Sequence, residues 1–454
     1  MHHLGPRILL AAALIALVAP TAASTTHSAP ASVALACPEQ VALHQGIDVQ
    51  RATTQYNAIA ALSATDVWAA GAMDPTGALT VTGDFDPSET VPLLAHYDGH
   101  AWCMVDPRLP YNGAITSLSA VGAHDVWAAV ETYGARQPDG LLPRETPLEH
   151  WDGRAWRPVA YAGALDAIST PSQVQASSST NVWVLDQSGA IAHWDGRGWQ
   201  DAPVSDDFVG SMAFGGVAGV RAVATLALTD TWAVGSDLAM PVSAGGGDAA
   251  IHWDGKEWRA VHLPWVSVPP RYDQTLARNC APRYGFDLVL HEIAALSQND
   301  VWAAGSVQTP DRCPAIYHWD GKSWRQTWVA TGPQGAALLR WDLQSGGPVG
   351  TGYTRGWDVV GLAALSSRDV WAAVEQDGDY DGDGRGLATL SGLALRWDGT
   401  SWRVAAGMVC LPGALSAVSD KDMWVVDSHA YGSWPNACHW DGSMWHAAPI
   451  VLAG

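Results

Sequence analysis

Asp66-Val67-Trp68-Ala69-Ala70-Gly71, followed after a spacer by His96-Tyr97-Asp98-Gly99-His100-Ala101-Trp102, is the stretch on which the fold turns. The first half returns as Asp125-Val126-Trp127, Asn181-Val182-Trp183, Asp230-Thr231-Trp232, Asp300-Val301-Trp302, Asp369-Val370-Trp371 and Asp422-Met423-Trp424. The second half returns from His150 to Trp156, His193 to Trp199, His252 to Trp258, His318 to Trp324, Arg396 to Trp402 and His439 to Trp445. Within one unit, the apolar run Ile59 to Leu62 reads as an inner strand and Ser63-Ala64-Thr65-Asp66 as a polar tight turn. Val-Trp-Ala reads as a second strand, rich in the branched and aromatic residues that suit a sheet packed on both faces. Asp-Gly reads as a two-residue hairpin between the third and fourth strands, and the closing Trp lies on the fourth. Four strands in a unit of about 50 to 70 residues are what a propeller blade needs. Seven such units predict an all-β fold, a seven-bladed β-propeller over residues 51–454, and the repeat overrides the two or three domains that length alone suggests.

A residue present in every blade cannot mark one site. The repeated indoles read as the filling of the wedge between splayed blades. The repeated Asp reads as an acceptor for turn amides, and the repeated His as a partner of a nearby backbone group or carboxylate. On these motifs the chain resembles secreted bacterial β-propeller proteins that carry Asp-Val-Trp-Ala-x-Gly and His-Trp-Asp-Gly-x-x-Trp repeats, a resemblance spanning residues 57–450. Similarity to the Asp-box of sialidases is weaker, because that pattern has one more residue between its Asp and Gly. The paired glycines of kelch repeats are missing.

The N-terminus carries His2, His3 and Arg7, an apolar run from Ile8 to Val18, and small residues at Thr21, Ala22 and Ala23. This predicts a signal peptide over residues 1–23, then a disordered or loosely tethered segment over 24–50 and an extracellular mature protein. Ala34-Leu35-Ala36-Cys37 loosely resembles a bacterial lipid-attachment box, but it lies far beyond the apolar run and has Ala34 where leucine is usual. No later stretch reaches the roughly 18 to 20 apolar residues of a membrane helix. Forty-five acidic residues against 24 basic ones give a net charge of -21, which argues against nucleic acid as a partner. A monomer is expected.

Six cysteines in an exported chain favour disulfides. In a four-stranded meander the first-to-second and third-to-fourth turns share one face, and second-to-third loops and blade links share the other. The insertions at 74–92, 131–147, 204–220, 262–287, 326–357 and 376–393 all fall on the second face. Loops on a rigid scaffold are where binding residues sit, so this face is expected to be the functional one. The same topology predicts the pairs Cys37–Cys103, Cys280–Cys313 and Cys410–Cys438.

Aromatic residues outside the repeat signatures are candidates for stacking on a sugar: Trp265, Tyr272, Tyr284, Trp341, Tyr353, Trp357 and Trp434, with Trp328 and Tyr431 nearby. Arg271, Arg278, Arg283 and Arg355 could meet a ligand carboxylate. Asp377, Asp379, Asp381 and Asp383, spaced by glycines and Tyr380, match the first half of a calcium loop. Leu390 occupies the closing Glu position, so calcium is expected at a half-site. Enzyme motifs fail on inspection: His291-Glu292 has Ala295 where a zincin has its second His, and Gly321-Lys322-Ser323 has Ile316 where a P-loop has its first Gly. No Gly-x-Ser-x-Gly occurs. The sequence points to a non-catalytic extracellular binding protein for carbohydrate or protein. The competing reading is a polysaccharide hydrolase or lyase using loop carboxylates from among Asp84, Asp86, Glu89, Glu131 and Glu145.

Overall fold

The computed structural model describes residues 52–74, 90–105, 112–133, 144–145, 148–159, 171–186, 190–204, 219–236, 250–264, 288–307, 313–329, 357–376, 392–427 and 436–450. All belong to one compact unit, Cys37–Gly454. They form seven blades, whose inner strands are Thr53–Ser63, Asn112–Gly122, Pro171–Ser178, Gly219–Ala227, Leu288–Ser297, Trp357–Ser366 and Ala414–Ser419. Each inner strand is followed by a second strand beginning at the repeated Asp or Asn, a third ending at the His-Trp pair (His-Tyr in blade 1, Arg-Trp in blade 6), and a short fourth beginning at the closing Trp. Blade 2 adds a two-residue strand, Arg144–Glu145, against its second strand. Strands pair antiparallel in chain order within every blade, so none is exchanged between blades. Among the described residues no helix is long and apolar enough to cross a membrane.

The ring closes where blade 7 meets blade 1. The Tyr56 amide donates to the Asp427 carbonyl at 3.2 Å and the Ala61 amide to Ser416 Oγ at 2.9 Å. The apolar seam there holds Tyr56, Met73 and Trp102 of blade 1 against Trp424 and Val426 of blade 7. The other seams use the same device. The second-strand indole of one blade meets the aromatic pair at the hairpin of the next, as with Trp68 against Trp151 and Trp156, and Trp302 against Trp397 and Trp402. Tyr97 and Trp102 close on Trp424 in the same way.

Inside each blade the repeated polar residues are welded together. His96 Nε2 lies 2.8 Å from Asp66 Oδ1, and His150, His252, His318 and His439 make the same pair with Asp125, Asp230, Asp300 and Asp422. In blade 3 the acceptor is Asn181, and in blade 6 Arg396 replaces the imidazole and grips Asp369 through two bonds of 2.7 and 2.9 Å. The imidazole also packs on the second-strand indole, with centroids 4.2 Å apart for Trp302 and His318.

The Asp-Gly hairpin is longer than the sequence suggests. Tyr97 pairs directly with Trp102, so the turn holds the four residues 98–101. The reason is the carboxylate: Asp98 Oδ1 accepts the amides of His100 and Ala101 at 2.8 and 3.0 Å and so caps a wider turn. Those amides, Ala101's foremost, hold the Asp98 carboxyl below its ordinary range. Gly99 takes φ +91°, and a Cβ there would press on Thr65 of the neighbouring turn.

One charge breaks the pattern. Glu149, in the third strand of blade 2, pairs with Ala128 and Pro158 and shares the Ala128 face, which packs on blade 1. The other blades place Ala95, Ala192, Ile251, Tyr317, Leu395 and Cys438 at this position. Glu149 is buried, and desolvation raises its pKa to about 7. A raised carboxyl favours the folded state while protonated. The protein should therefore lose stability as pH rises from about 4.5 through about 7, the loss being on the order of 2–3 kcal/mol. Glu149→Leu should remove that slope and raise the melting temperature at pH 8. Parallel melting curves of the two proteins between pH 5 and 8 would refute the assignment.

Candidate functional site

Six inner strands carry a bulge at one register. In pairing with the second strand, one residue is skipped between Tyr56 and Ala58, Ile115 and Ser117, Pro171 and Gln173, Val220 and Ala222, Leu290 and Glu292, and Val359 and Gly361. A bulged residue has no cross-strand partner and its strand bends, which re-aims its side chain. The skipped residues are Asn57, Thr116, Ser172, Arg221, His291 and Val360. In blade 7 the residue at the same spacing, eleven before the second-strand Trp, is Gly413. Of these seven, Thr116, Ser172, Arg221, His291, Val360, Gly413 and Asn57 all line one central channel of about 820 Å³. Six lie in the opening half of their inner strands and Gly413 immediately precedes the seventh, at the end reached from the blade links. The channel mouth therefore belongs to the long-loop face.

Several channel residues also tie one blade to the next. Asn57 Nδ2 donates to the Ile115 carbonyl at 3.1 Å. Ser117 Oγ accepts the Val174 amide at 3.2 Å, and Gln173 Oε1 accepts the Val223 amide at 3.0 Å. Between blades 5 and 6 the bridge is ionic: His291 Nε2 lies 3.0 Å from Asp358 Oδ1, and His291 Nδ1 lies 3.8 Å from Glu292 Oε1. Desolvation pushes the His291 imidazole down, but the carboxylates of Asp358 and Glu292 outweigh it as acceptors and as charges, and the pKa rises to about 10. His291 is thus a cation at neutral pH, compensated on both sides. Its chemistry is that of a strut, since a proton held this firmly is not exchanged with a ligand near neutrality.

Trp357 was expected among the ligand-stacking aromatics, and the structure places it elsewhere. It opens the inner strand of blade 6 at 1% exposure, in the apolar seam with Trp302, Trp328 and Leu393. No ring face is left for a sugar. Trp328 lies in the same seam. Trp265, Tyr272, Tyr284, Trp341, Tyr353 and Trp434 fall outside the described residues, as do Asp377, Asp379, Asp381 and Asp383, the N-terminal segments and most of the long loops. Cys410 and Cys438 are joined, with Cα atoms 6.1 Å apart. Cys103 and Cys313 are each disulfide-bonded, while Cys37 and Cys280 lie outside the described residues.

The channel ring is hidden in the sequence because the apolar run that marks the inner strand begins at Ile59, two residues after Asn57 and six after the strand's first residue, Thr53. Counting eleven residues back from each Asp-x-Trp tryptophan would have found it: that position reads Asn, Thr, Ser, Arg, His, Val, Gly, while the one two residues later is Ile, Leu or Val throughout.

No protein-family model matches the chain, and neither does any curated protein. Among solved structures it is similar to YCF48 bound to D1 peptide, with 13% identity, a TM-score of 0.44, and coverage of 83% of this chain and 92% of that one. It is also similar to the extracellular domain of the one component system BT4673 from B. thetaiotaomicron, at 9% identity and a TM-score of 0.44, over 83% of this chain and 38% of that one. A third likeness is to the SapL1 lectin in complex with alpha methyl fucoside, at 12% identity and a TM-score of 0.38, over 88% and 97% of the two chains. Likenesses this distant carry no functional argument, and the blade assignment rests on the strand pairing itself.

Proposed function

We propose that this chain is a secreted, non-catalytic binding protein that holds a carbohydrate at the long-loop mouth of its central channel. The observation that carries the reading is the ring at the bulge: one structurally equivalent position, filled differently in every blade of an otherwise repeated scaffold, facing a cavity of small-ligand size. Thr116 and Ser172 donate to the Ala129 and Leu185 carbonyls of their own blades, but blades 6 and 7 carry Val360 and Gly413 at the same place, so the fold prescribes no one side chain there and the variety points to a ligand. Hydrogen-bonding groups dominate the wall, among them Asn57, Thr116, Ser172 and Gln175, as a hydroxylated ligand requires. The Cys410–Cys438 disulfide supports an oxidising compartment.

The test is a glycan array probed with the mature protein, with and without calcium, beside Val360→Trp, which fills the channel, and Arg197→Ala, which alters a hairpin turn on the opposite face. Binding of a subset of glycans by the native chain and by Arg197→Ala, lost in Val360→Trp at unchanged melting temperature, is the expected result. Binding that survives Val360→Trp, or none at all, sinks the proposal. Reducing sugar released from a bound polysaccharide would replace it with hydrolysis.

A further inference from the structure

Five of the seven ring positions, Asn57, Thr116, Ser172, Val360 and Gly413, are neutral, and the His291 cation is held between two carboxylates, Asp358 and Glu292, and offers no free positive charge. The seventh, Arg221 of blade 4, is exposed to the channel. It makes no hydrogen bond or ion pair with the described residues. Asp186, the other carboxylate of the lining, is turned into blade 3, where it is 1% exposed and accepts the Ala190 amide at 2.9 Å. Among the described residues, Arg221 is therefore the unpaired cation of the channel wall. The scaffold does not call for it, because the same position accepts Gly413 in blade 7 and Val360 in blade 6.

A guanidinium is a planar fork of donors matched to a planar oxyanion, and it binds most strongly where walls exclude water. Around it the wall offers neutral hydrogen-bonding groups: Ser172, Gln175, and Gln173, whose Oε1 is occupied by the Val223 amide while its NH₂ group takes no part in that bond. The described lining holds no Phe, Tyr or Trp and no lysine. Such a wall suits a small body covered in hydroxyls better than it suits the apolar side chains of a peptide. With a net charge of -21, the protein repels anions at long range, so an anion that binds must be held by a specific local cation.

We propose that Arg221 anchors a ligand carboxylate in the central channel and that the ligand is an acidic saccharide bearing a uronate-type carboxyl group. This rests on the carbohydrate-binding reading given above and adds the ligand's charge and the residue that reads it.

The experiment presents acidic glycans bearing galacturonate, glucuronate or sialic acid, each paired with its carboxyl-reduced form, to the full mature protein, to Arg221→Gln and to Arg221→Lys. Melting temperatures establish that both variants fold. The expected result is binding of an acidic glycan and a loss on the order of ten- to hundredfold for its reduced form. Arg221→Gln should show the same loss for the acidic form while binding the reduced form as the native chain does, and Arg221→Lys should recover part of it. Equal binding of acidic and reduced forms, an unchanged affinity in Arg221→Gln, or preferential capture of peptides through their free C-terminal carboxylates overturns the proposal. Neutral glycans bound in a manner blocked by Val360→Trp would overturn the role of Arg221 and leave the binding reading standing. Absence of any binding blocked by Val360→Trp would overturn both.

Discussion

Trp302→Ala should cost the propeller on the order of 3–5 kcal/mol, the loss expected for deleting a large aromatic side chain from a packed interior. Trp302 is fully buried in the second strand of blade 5 and meets Trp397 and Trp402 of blade 6 with centroids 5.5 and 5.9 Å away, the latter edge to face. It also stacks on His318 and donates its Nε1 proton to Asp300 at 3.0 Å. Truncation therefore opens a void in the seam and strips one partner from the weld inside blade 5. Neighbours cannot collapse into the space, because they stand on strands fixed by backbone pairing on both sides. Chemical denaturation followed by circular dichroism measures the effect. A midpoint unchanged from the native protein would show that the seam is not packed as described.

The second large effect concerns the staple between Cys410, in the link from blade 6 to blade 7, and Cys438, in the third strand of blade 7. It encloses a sequence separation of 28 residues. A loop of that size restricts the unfolded chain by about 3–4 kcal/mol in the chain-entropy account. Both sulfurs are buried, so reduction also leaves two thiols to be repacked in the seam with Trp371 and Trp440. The double variant Cys410→Ala/Cys438→Ala should unfold at correspondingly lower denaturant, and hydrogen exchange should rise first across residues 408–413. A double variant as stable as the native protein, or mass mapping that pairs either cysteine elsewhere, contradicts this.

The parts of the fold legible in the sequence are those that every blade must repeat. Indoles recur at fixed spacing because each seam needs the same large apolar shape, and the His-Asp pairs recur because five blades half-bury the same donor and acceptor. The pairing was anticipated only in kind: the sequence named a carboxylate or backbone partner for His, and Arg396 gripping Asp369 shows that the position asks for a donor rather than for imidazole. The site was less legible for the opposite reason. A bulge is one skipped residue, it has no required side chain, and Asn57 or Ser172 reads like any polar residue near a strand end. Trp357 misled in the converse way, since an indole outside the signatures looked like spare surface until the inner strand of blade 6 was seen to begin with it.

The way the ring closes has a consequence for how the chain can be rewired. Blades 1 and 7 meet through Trp424, Tyr97 and Trp102, an arrangement like that of the internal seams, and no strand crosses between them. Ala52 and Ile450, at the two ends of the described propeller, pack into that one cluster. Closure therefore does not privilege this seam over the other six. Joining the two ends by a short linker and starting the chain between blades 3 and 4 should give a circular permutant with the same ring and the same channel. The repeat thus makes blade order around the axis matter while leaving the point at which synthesis begins largely arbitrary.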